Sequence, residues 1–485
     1  MVTTLDIKGI IKFVVIVGAI LSVLFLIPII TGLIYKEDIK DFAIYDSLLF
    51  AINGFLWLIL RNHKIAMKVK GSIIAVNIVW ILLGVSAAIP YMMYTHIDFS
   101  SAFFESISGY TTTGATVYSN IEGLPHHILM LRSLTHWIGG MGIIVLGVGL
   151  LSIINPTGSL SMFKAESTGI SVDKIAPKIK DTALMLWAIY AGLTLLDTFF
   201  LHMFGMNWFD AINHAFSTIS TGGFSTKNSS MWAFVSSSGI IWTTTIFMVL
   251  SAINFLAHLK FLKGDLSGYF SEEVKVFVII FFILSFALSV AHYYTSNDSF
   301  ELSMEHSFFT ISSIISTTGF ATVDYDKWPH IATIIIFIAM FIGGTTGSTA
   351  GGAKVIRYII IFKNIINEMK RIIHSNAILS VFVDNKKLKD SLVNLVLGFF
   401  TLYAFTILLV MLYLYARGFD EMTSFSAAIA TTGNIGPGFA GVGPSQNYGF
   451  FSWYDKWILS FAMIIGRLEC YTFYLLFTTS FWKKF

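Results

Sequence analysis

Cysteine is almost missing from this chain of 485 residues, which contains only Cys470. A single thiol cannot form an internal disulfide, and no second cysteine accompanies it as a metal ligand. Charged residues are scarce as well, at 12% of the sequence against about 25% in an average soluble domain. With 55% hydrophobic residues, the composition excludes a protein that folds mainly in water and indicates an integral membrane protein.

Enzyme motifs are missing too. The sequence has no HExxH, no GxSxG and no pair of intramembrane aspartates, and its twelve histidines are scattered. Residues 347–354 faintly resemble a phosphate-binding loop, but the lysine comes one residue late and no Ser or Thr follows it. These absences argue against a membrane-embedded enzyme, and we expect no organic cofactor on this chain. A net charge of +3 gives no indication of a nucleic-acid partner.

Long apolar segments dominate what is present. A membrane-spanning helix needs about 20 such residues, and the first segment is too long for a cleaved signal peptide. We therefore predict an all-α, multi-pass membrane protein with aromatic belts at both interfaces. The predicted spans are 10–34, 43–60, 72–94, 127–153, 183–204, 240–257, 274–293, 331–361, 392–415 and 453–477.

A Thr/Gly string recurs four times, each time after a short amphipathic run that lies between two long apolar segments. The glycines that align are separated by 223−114 = 109, 319−223 = 96 and 433−319 = 114 residues, a spacing that indicates a repeated structural unit. The aligned residues are Thr112, Thr113 and Gly114; Thr221, Gly222 and Gly223; Thr317, Thr318 and Gly319; and Thr431, Thr432 and Gly433.

This pattern predicts a helix pair at 1–68 and repeats at 69–155, 156–265, 266–378 and 379–485. Irregular backbone is tolerated at membrane depth only where protein buries it or where it lines a polar path. Glycine permits positive φ, so four such turns around one axis could present carbonyl oxygens to a dehydrated cation. The alternative interpretation is four ordinary loops between membrane helices.

Charge predicts one orientation. Basic clusters at 61–70, 174–180, 260–263, 354–389 and 483–484 place both termini in the cytoplasm and all four turns outside. Acidic residues near the turns could concentrate cations there or could cap the short helices, as we expect for Asp210 and Asp420. The acidic residues concerned are Asp98, Asp210, Glu301, Asp324, Asp326, Asp420 and Glu421.

The third unit contains an unusually glycine-dense stretch. A spanning helix so rich in glycine should be interrupted near its middle, although small residues also allow close helix packing. An interrupted segment could obstruct a pore and move to open it. The glycines are Gly343, Gly344, Gly347, Gly351 and Gly352.

Arg467, Glu469 and Asp197 are ionisable residues inside predicted spans, where charge is costly and usually faces the bundle interior. Arg467 could donate to carbonyls freed by the glycine-dense break, or it could pair with a neighbouring helix. Glu469 is two residues away and cannot pair with it on one helix face. For Asp197 we expect a structural hydrogen bond rather than a proton relay.

The four turns, WIGGMG at 137–142, the run at 342–354 and GRLE at 466–469 together resemble the Trk/Ktr/HKT superfamily of cation transporters. The resemblance covers nearly the whole chain, and the extra N-terminal helix pair favours the Trk branch. It implies helix–pore helix–filter–helix repeats around one central pore. Potassium selectivity in the family goes with glycine in all four filters. Gly222 is a departure, because the other strings have threonine there.

The same resemblance implies uptake of potassium ion across the bacterial cytoplasmic membrane, by a homodimer. It also implies gating by the glycine-dense segment and Arg467. Control would come from a cytosolic TrkA-type nucleotide-binding subunit docked on the basic segments. The alternative is a proton- or sodium-coupled symporter that works by alternating access, since broken helices fit that mechanism as well.

Overall fold

The computed structural model describes residues 5–145, 179–296 and 298–483, and it confirms the all-α class. Within that part of the chain the strands are β1 (Phe382–Val383) and β2 (Lys386–Lys387), which form a short antiparallel hairpin. The helices are α1 (Ile7–Ile34), α2 (Lys40–Leu60), α3 (Val69–Thr95), α4 (Phe99–Tyr110), α5 (His126–Val145), α6 (Ile179–Met203), α7 (Trp208–Ile219), α8 (Ser238–Ser251), α9 (Phe255–Leu262), α10 (Glu272–Tyr293), α11 (Phe300–Ile315), α12 (His330–Met340), α13 (Val355–Ile373), α14 (Asp390–Ala416), α15 (Glu421–Thr432), α16 (Trp453–Arg467), α17 (Tyr471–Tyr474) and α18 (Thr479–Trp482).

Six of the described helices are long and apolar enough to cross a membrane without interruption: α1, α2, α3, α6, α10 and α14. The segment predicted at 331–361 is interrupted as expected, between α12 and α13. The prediction of continuous spans at 240–257 and 453–477 is wrong. The chain bends by 98° between α8 and α9, and by 113° between α16 and the helical turns that follow it. Of the predicted span 127–153, residues 146–153 lie outside the described residues.

Local features accompany both unexpected bends, and hydropathy does not register them. The Asn254 side chain accepts a hydrogen bond from the Leu256 amide and starts α9 as its N-cap. After α16, Glu469 and Cys470 both have positive φ, of 57° and 59°. Two consecutive non-glycine residues in that conformation cannot continue an α-helix.

The short helices α4, α7, α11 and α15 are 12, 12, 16 and 12 residues long. At about 1.5 Å per residue, none spans a hydrocarbon core of about 30 Å. Each begins at a residue whose side chain accepts a backbone amide in the first turn: Asp98, Asn207, Ser299 and Asp420.

The capping prediction is therefore right for Asp420 and wrong for Asp210. Asp210 lies three residues inside α7, where its amide donates to the N-cap Asn207. Its carboxylate instead accepts from the Thr226 hydroxyl at 2.6 Å and lies 3.4 Å from the Lys227 ammonium.

Glu37 joins the N-terminal helix pair to α5. Its carboxylate accepts the backbone amides of His126 at 2.7 Å and His127 at 3.1 Å. The Nδ1 atoms of both histidine rings lie within 2.8 Å of the same carboxylate. Burial raises the pKa of Glu37, but these hydrogen bonds outweigh burial and lower the pKa from 4.5 to about 2.

We expect Glu37→Gln to lower the free energy of unfolding by on the order of 1–2 kcal/mol near neutral pH. Because the folded-state pKa is depressed, the contribution of the carboxylate is complete above pH 4.5 and is lost as pH falls towards about 2. Thermal unfolding in detergent between pH 7 and pH 3 measures the difference between wild type and variant. Glu301→Gln, at an exposed glutamate, is the control. A difference that is constant with pH contradicts the prediction.

Candidate functional site

The four turns after the short helices share one backbone geometry. In each, a non-glycine residue with left-handed φ precedes, by two positions, a glycine with positive φ. The first members are Thr112 (53°), Thr221 (58°), Thr317 (58°) and Asn434 (54°). The glycines are Gly114 (82°), Gly223 (85°), Gly319 (82°) and Gly436 (96°).

These four glycines form a closed ring with backbone carbonyls of the neighbouring turns. A Cβ on Gly114 would lie 2.2 Å from the Gly222 oxygen, and one on Gly223 would lie 2.0 Å from the Thr318 oxygen. A Cβ on Gly319 would lie 2.1 Å from the Ile435 oxygen, and one on Gly436 would lie 2.4 Å from the Thr113 oxygen. We number the turns 1 to 4 in chain order, at 112–114, 221–223, 317–319 and 434–436. Turn 1 contacts turn 2, turn 2 contacts turn 3, turn 3 contacts turn 4, and turn 4 contacts turn 1. All four glycines also line one cavity of about 80 Å³.

The prediction that Gly433 aligns with the other three glycines is wrong. Gly433 has a φ of −79° and ends α15, in the place that Thr111, Ser220 and Ser316 take in the other units. Thr431 and Thr432 belong to α15 itself. The fourth turn is formed three residues later by Asn434, Ile435 and Gly436.

Ala-Thr-Thr-Gly at 430–433 has the composition of the Thr/Gly strings but lies one helical turn before the fourth turn. The distance from the start of the short helix locates the turn correctly in three of the units. That distance is 114−98 = 16 residues in the first unit, 223−207 = 16 in the second and 436−420 = 16 in the fourth.

Several threonine hydroxyls in the turns bond within the protein, whereas Thr112 Oγ1 has no hydrogen-bond partner among the described residues. Thr113 Oγ1 lies 2.8 Å from Thr111 Oγ1, and Thr318 Oγ1 lies 2.7 Å from Ser316 Oγ. Asn434 Nδ2 donates to Thr113 Oγ1 at 3.0 Å and so ties turn 4 to turn 1. Since these side chains are engaged with their own supports, the polar groups left for a ligand are mainly backbone carbonyls.

A buried ion pair that the sequence did not reveal supports the first two turns. Glu105 on α4 and Arg132 on α5 are 0% and 1% exposed, and Arg132 Nε donates to Glu105 at 2.9 Å. Glu105 also accepts the Val117 amide at 2.9 Å, and Arg132 Nη1 donates to the Ser225 carbonyl at 3.0 Å. Each charge therefore has a partner, as buried charges require. The pair is 27 residues apart in sequence on two different helices, so only the fold brings it together.

The glycine-dense loop between α12 and α13 lies against these turns. Thr349 Oγ1 donates to the Ile219 carbonyl at the end of α7, at 3.0 Å. The Gly351 amide donates to Thr317 Oγ1 in turn 3, at 2.6 Å. A Cβ on Gly351 would lie 2.7 Å from the Gly433 oxygen at the end of α15. The loop therefore touches three of the four units directly behind the ring.

Close backbone contacts explain the other glycines of this loop. Gly347 and Gly352 have positive φ, at 74° and 67°. A Cβ on Gly343 would lie 2.5 Å from the Gly351 oxygen, and one on Gly344 would lie 2.9 Å from the Ala252 oxygen. The loop is thus folded back on itself and pressed against the break between α8 and α9.

That break and the loop exchange backbone hydrogen bonds. The Thr345 amide donates to the Ala252 carbonyl at 2.9 Å, and the Phe255 amide donates to the Gly347 carbonyl at 3.0 Å. Glu273, at the start of α10, accepts the Thr346 amide at 2.7 Å and the Ile356 amide at 3.2 Å. Amides and carbonyls that lack a helical partner at the two breaks therefore hydrogen-bond to each other, and the buried Glu273 carboxylate accepts two further amides.

Arg467 reaches the loop as the sequence suggested. It is 3% exposed, and its Nη1 donates to the Thr349 carbonyl at 3.0 Å. Its Nη2 donates to the Gly139 carbonyl on α5 at 3.4 Å. Glu469 does not pair with Arg467 and instead binds Arg357 on α13.

The hydrogen bond expected at Asp197 is not seen among the described residues. Asp197 is 0% exposed, and neither carboxylate oxygen has a partner there. The nearby Thr218 hydroxyl donates to the His214 carbonyl instead, at 2.8 Å.

Known proteins resemble this chain over almost its full length. The family model for TrkH, a cation transport protein, matches residues 9–266 and 270–484. The Trk system potassium uptake protein TrkH of Escherichia coli K12 is 36% identical over 466 residues, which cover 95% of this chain and 96% of that protein. TrkG of the same organism, also a Trk system potassium uptake protein, is 33% identical over 94% of this chain and 95% of its own.

The fold agrees with a solved structure as well. The crystal structure of the potassium transporter TrkH from Vibrio parahaemolyticus superposes with a TM-score of 0.89 at 34% identity, covering 99% of this chain and all of that one. Sequence and structure lead to the same conclusion, and the chain belongs to the TrkH family of cation transport proteins.

Proposed function

We propose that this chain carries potassium into the cell through a single pore whose selectivity filter is the ring of four turns. The observation that carries the proposal is the closed set of contacts between Gly114, Gly223, Gly319, Gly436 and the carbonyls of the neighbouring turns. Such a ring holds oxygen atoms of four units around one space, which suits a hard monovalent cation without its water. Relatives named as potassium uptake proteins support the choice of ion.

The proposed ion contacts are backbone carbonyls of 112–114, 221–223, 317–319 and 434–436. The first three sets are those expected from the sequence, and the fourth replaces Thr431, Thr432 and Gly433. Potassium is the substrate in this proposal, and no organic cofactor takes part. Asn434 and Ile435 differ from the Thr/Gly pattern. The carbonyl of Ile435 nevertheless lies against Gly319 in the same way that the carbonyls of the other turns lie against their neighbouring glycines.

The loop at 341–354 and Arg467 form the proposed gate. The loop lies behind three of the four units, and Arg467 holds it through the Thr349 carbonyl. A guanidinium in a narrow passage of low dielectric also repels a cation. Glu273 binds the loop from α10, so the closed position is fixed from two sides.

The remaining parts of the proposal rest on the charge pattern and the family. The turns face outward, both termini face the cytoplasm, and the repeats divide at 69–155, 156–265, 266–378 and 379–485. Two copies form a homodimer in the bacterial cytoplasmic membrane. A TrkA-type nucleotide-binding subunit docks on the basic segments at 159–181 and 364–390. Of the first segment, residues 159–178 lie outside the described residues.

Coupled symport by alternating access is a second candidate. The observation in its favour is that three of the second helices in the units are broken, after Ser251, Met340 and Arg467. Against it, the ring joins all four units through close backbone contacts, and a structure of that kind resists the separation of halves that alternating access requires.

Cation flux into liposomes separates the two candidates. We expect purified wild-type protein to pass potassium above the level of protein-free liposomes, whether or not a proton or sodium gradient is imposed. Sodium should pass more slowly than potassium. Flux that strictly requires a proton or sodium gradient would support the symporter. No flux from either wild type or an open-gate variant, in protein shown to be folded, would reject conduction altogether.

A further inference from the structure

Turn 2 differs from its three counterparts at one position. Gly222 stands where turns 1, 3 and 4 have Thr113, Thr318 and Ile435, the residues whose carbonyls form the ring. The Gly222 backbone does not require glycine, because its φ is not in the left-handed region. The reason for glycine here must therefore lie in the surroundings.

One side chain, that of His136, fills the space directly beside Gly222. The three atoms nearest to a Cβ on Gly222 all belong to His136, with Nδ1 at 1.3 Å and Cε1 and Cγ at 2.3 Å. His136 projects from α5 and is 0% exposed. Its imidazole thus occupies the space into which a side chain at 222 would point, and any side chain there must displace it.

His136 is held by packing against turn 2. Its ring lies 4.1 Å from the ring of Phe224, and the guanidinium of Arg132 lies 4.0 Å from the same Phe224 ring. Neither nitrogen of His136 has a hydrogen-bond partner among the described residues. A buried polar ring without partners is costly, so its presence needs a reason other than hydrogen bonding.

We propose that His136 is a specificity-determining residue of the ring, supplying from α5 the volume that the other three turns supply themselves. Its imidazole fixes the Gly222 backbone, whose carbonyl oxygen is the group that Gly114 packs against. The inference rests on the proposed filter function. Without the imidazole, turn 2 has neither a side chain nor a substitute behind it, and its carbonyl moves more freely. Discrimination between ions of different size then falls.

The two residues should behave as a compensating pair. We expect Gly222→Thr to reduce potassium flux in liposomes about tenfold or more, because its Cβ overlaps a fully buried ring. His136→Ala should keep most of the flux but lower the potassium-to-sodium ratio several-fold. The double variant His136→Ala with Gly222→Thr should regain most of both quantities, since the threonine then has room and resembles turns 1 and 3.

Gly192→Ala is the matched control, because no atom lies within 4 Å of a Cβ at that position. If Gly222→Thr fails to fold, recovery of folded protein in the double variant is the expected result. The inference would be overturned if the double variant showed the product of the two single-variant losses in flux and ion ratio, with no recovery. An unchanged ion ratio in His136→Ala would also overturn it. Serine at Gly114, Gly223, Gly319 or Gly436 distinguishes the two ways to fail. If those variants alter ion preference while the His136 and Gly222 variants do not behave as expected, only the role of His136 is rejected. If those variants leave ion preference unchanged, the proposed filter is rejected as well.

Discussion

Serine in place of Gly436 is expected to remove most of the preference for potassium over sodium, whereas serine in place of Gly433 leaves it within about twofold. A side chain at Gly436 must adopt a φ of 96° and would start 2.4 Å from the Thr113 carbonyl oxygen. A left-handed non-glycine residue alone costs on the order of 1–2 kcal/mol, and displacement of the ring carbonyl adds to that cost. We therefore expect a loss of at least about tenfold in the ion ratio.

The Gly433 variant is a matched control within the same turn. Its φ is −79°, and the equivalent positions in two other units are serine, Ser220 and Ser316. A Cβ at 433 would lie 2.8 Å from the Ile429 oxygen and so requires a local shift, but no carbonyl of the ring is among its nearest atoms. Liposome flux with potassium and sodium, on protein that elutes as a single folded species, measures both variants. Serine at Gly114, Gly223 or Gly319 should behave like serine at Gly436. If Gly433→Ser proved the more damaging change, the ring described here would not be the filter.

Replacement of Arg467 by alanine should increase potassium flux through the isolated subunit severalfold. The guanidinium donates to Thr349 in the loop and to Gly139 on α5, so it links the loop to a helix of another unit. Alanine removes both hydrogen bonds and a positive charge from the proposed passage. Hydrogen bonds to a charged group contribute about 1.5–3 kcal/mol each, enough to shift a closed–open equilibrium by a factor of ten or more.

Two further variants separate the causes. Arg467→Lys keeps the charge but loses the planar group that reaches two carbonyls, so its flux should fall between wild type and Arg467→Ala. Deletion of 345–350 removes the loop and should give high flux whichever residue stands at 467. Flux at or below wild type in both Arg467→Ala and the deletion, from folded and inserted protein, would assign these residues a purely structural role.

The sequence predicted the membrane class, the positions of most long helices and the break in the third unit, because each depends on local composition. Apolar length sets a span, and glycine density makes a helix unstable at a defined place. The acceptor for Arg467 was also foreseeable, since a buried guanidinium needs carbonyls and a broken helix offers them.

Other features depend on contacts that no local pattern encodes. The break after α8 contains Ala252, Ile253 and Asn254, without glycine or proline, and its backbone is satisfied by the loop of a different unit. His136 and Gly222 are 222−136 = 86 residues apart, so neither residue alone shows why the other is there. For the fourth turn a local pattern is misleading. The string Ala-Thr-Thr-Gly at 430–433 has the expected composition, but it still belongs to the end of α15.

The closure of the ring sets an order on biosynthesis. Gly436 and Asn434 of turn 4 meet Thr113 of turn 1, and the Tyr448 amide donates to the Thr116 carbonyl beyond it. Turn 1 is therefore synthesised more than three hundred residues before the partner that completes it. A nascent chain inserted in the membrane carries an open series of turns until the last unit has left the ribosome. The ring, and with it the proposed filter, can therefore be completed only after the fourth unit has been inserted and has packed against the first.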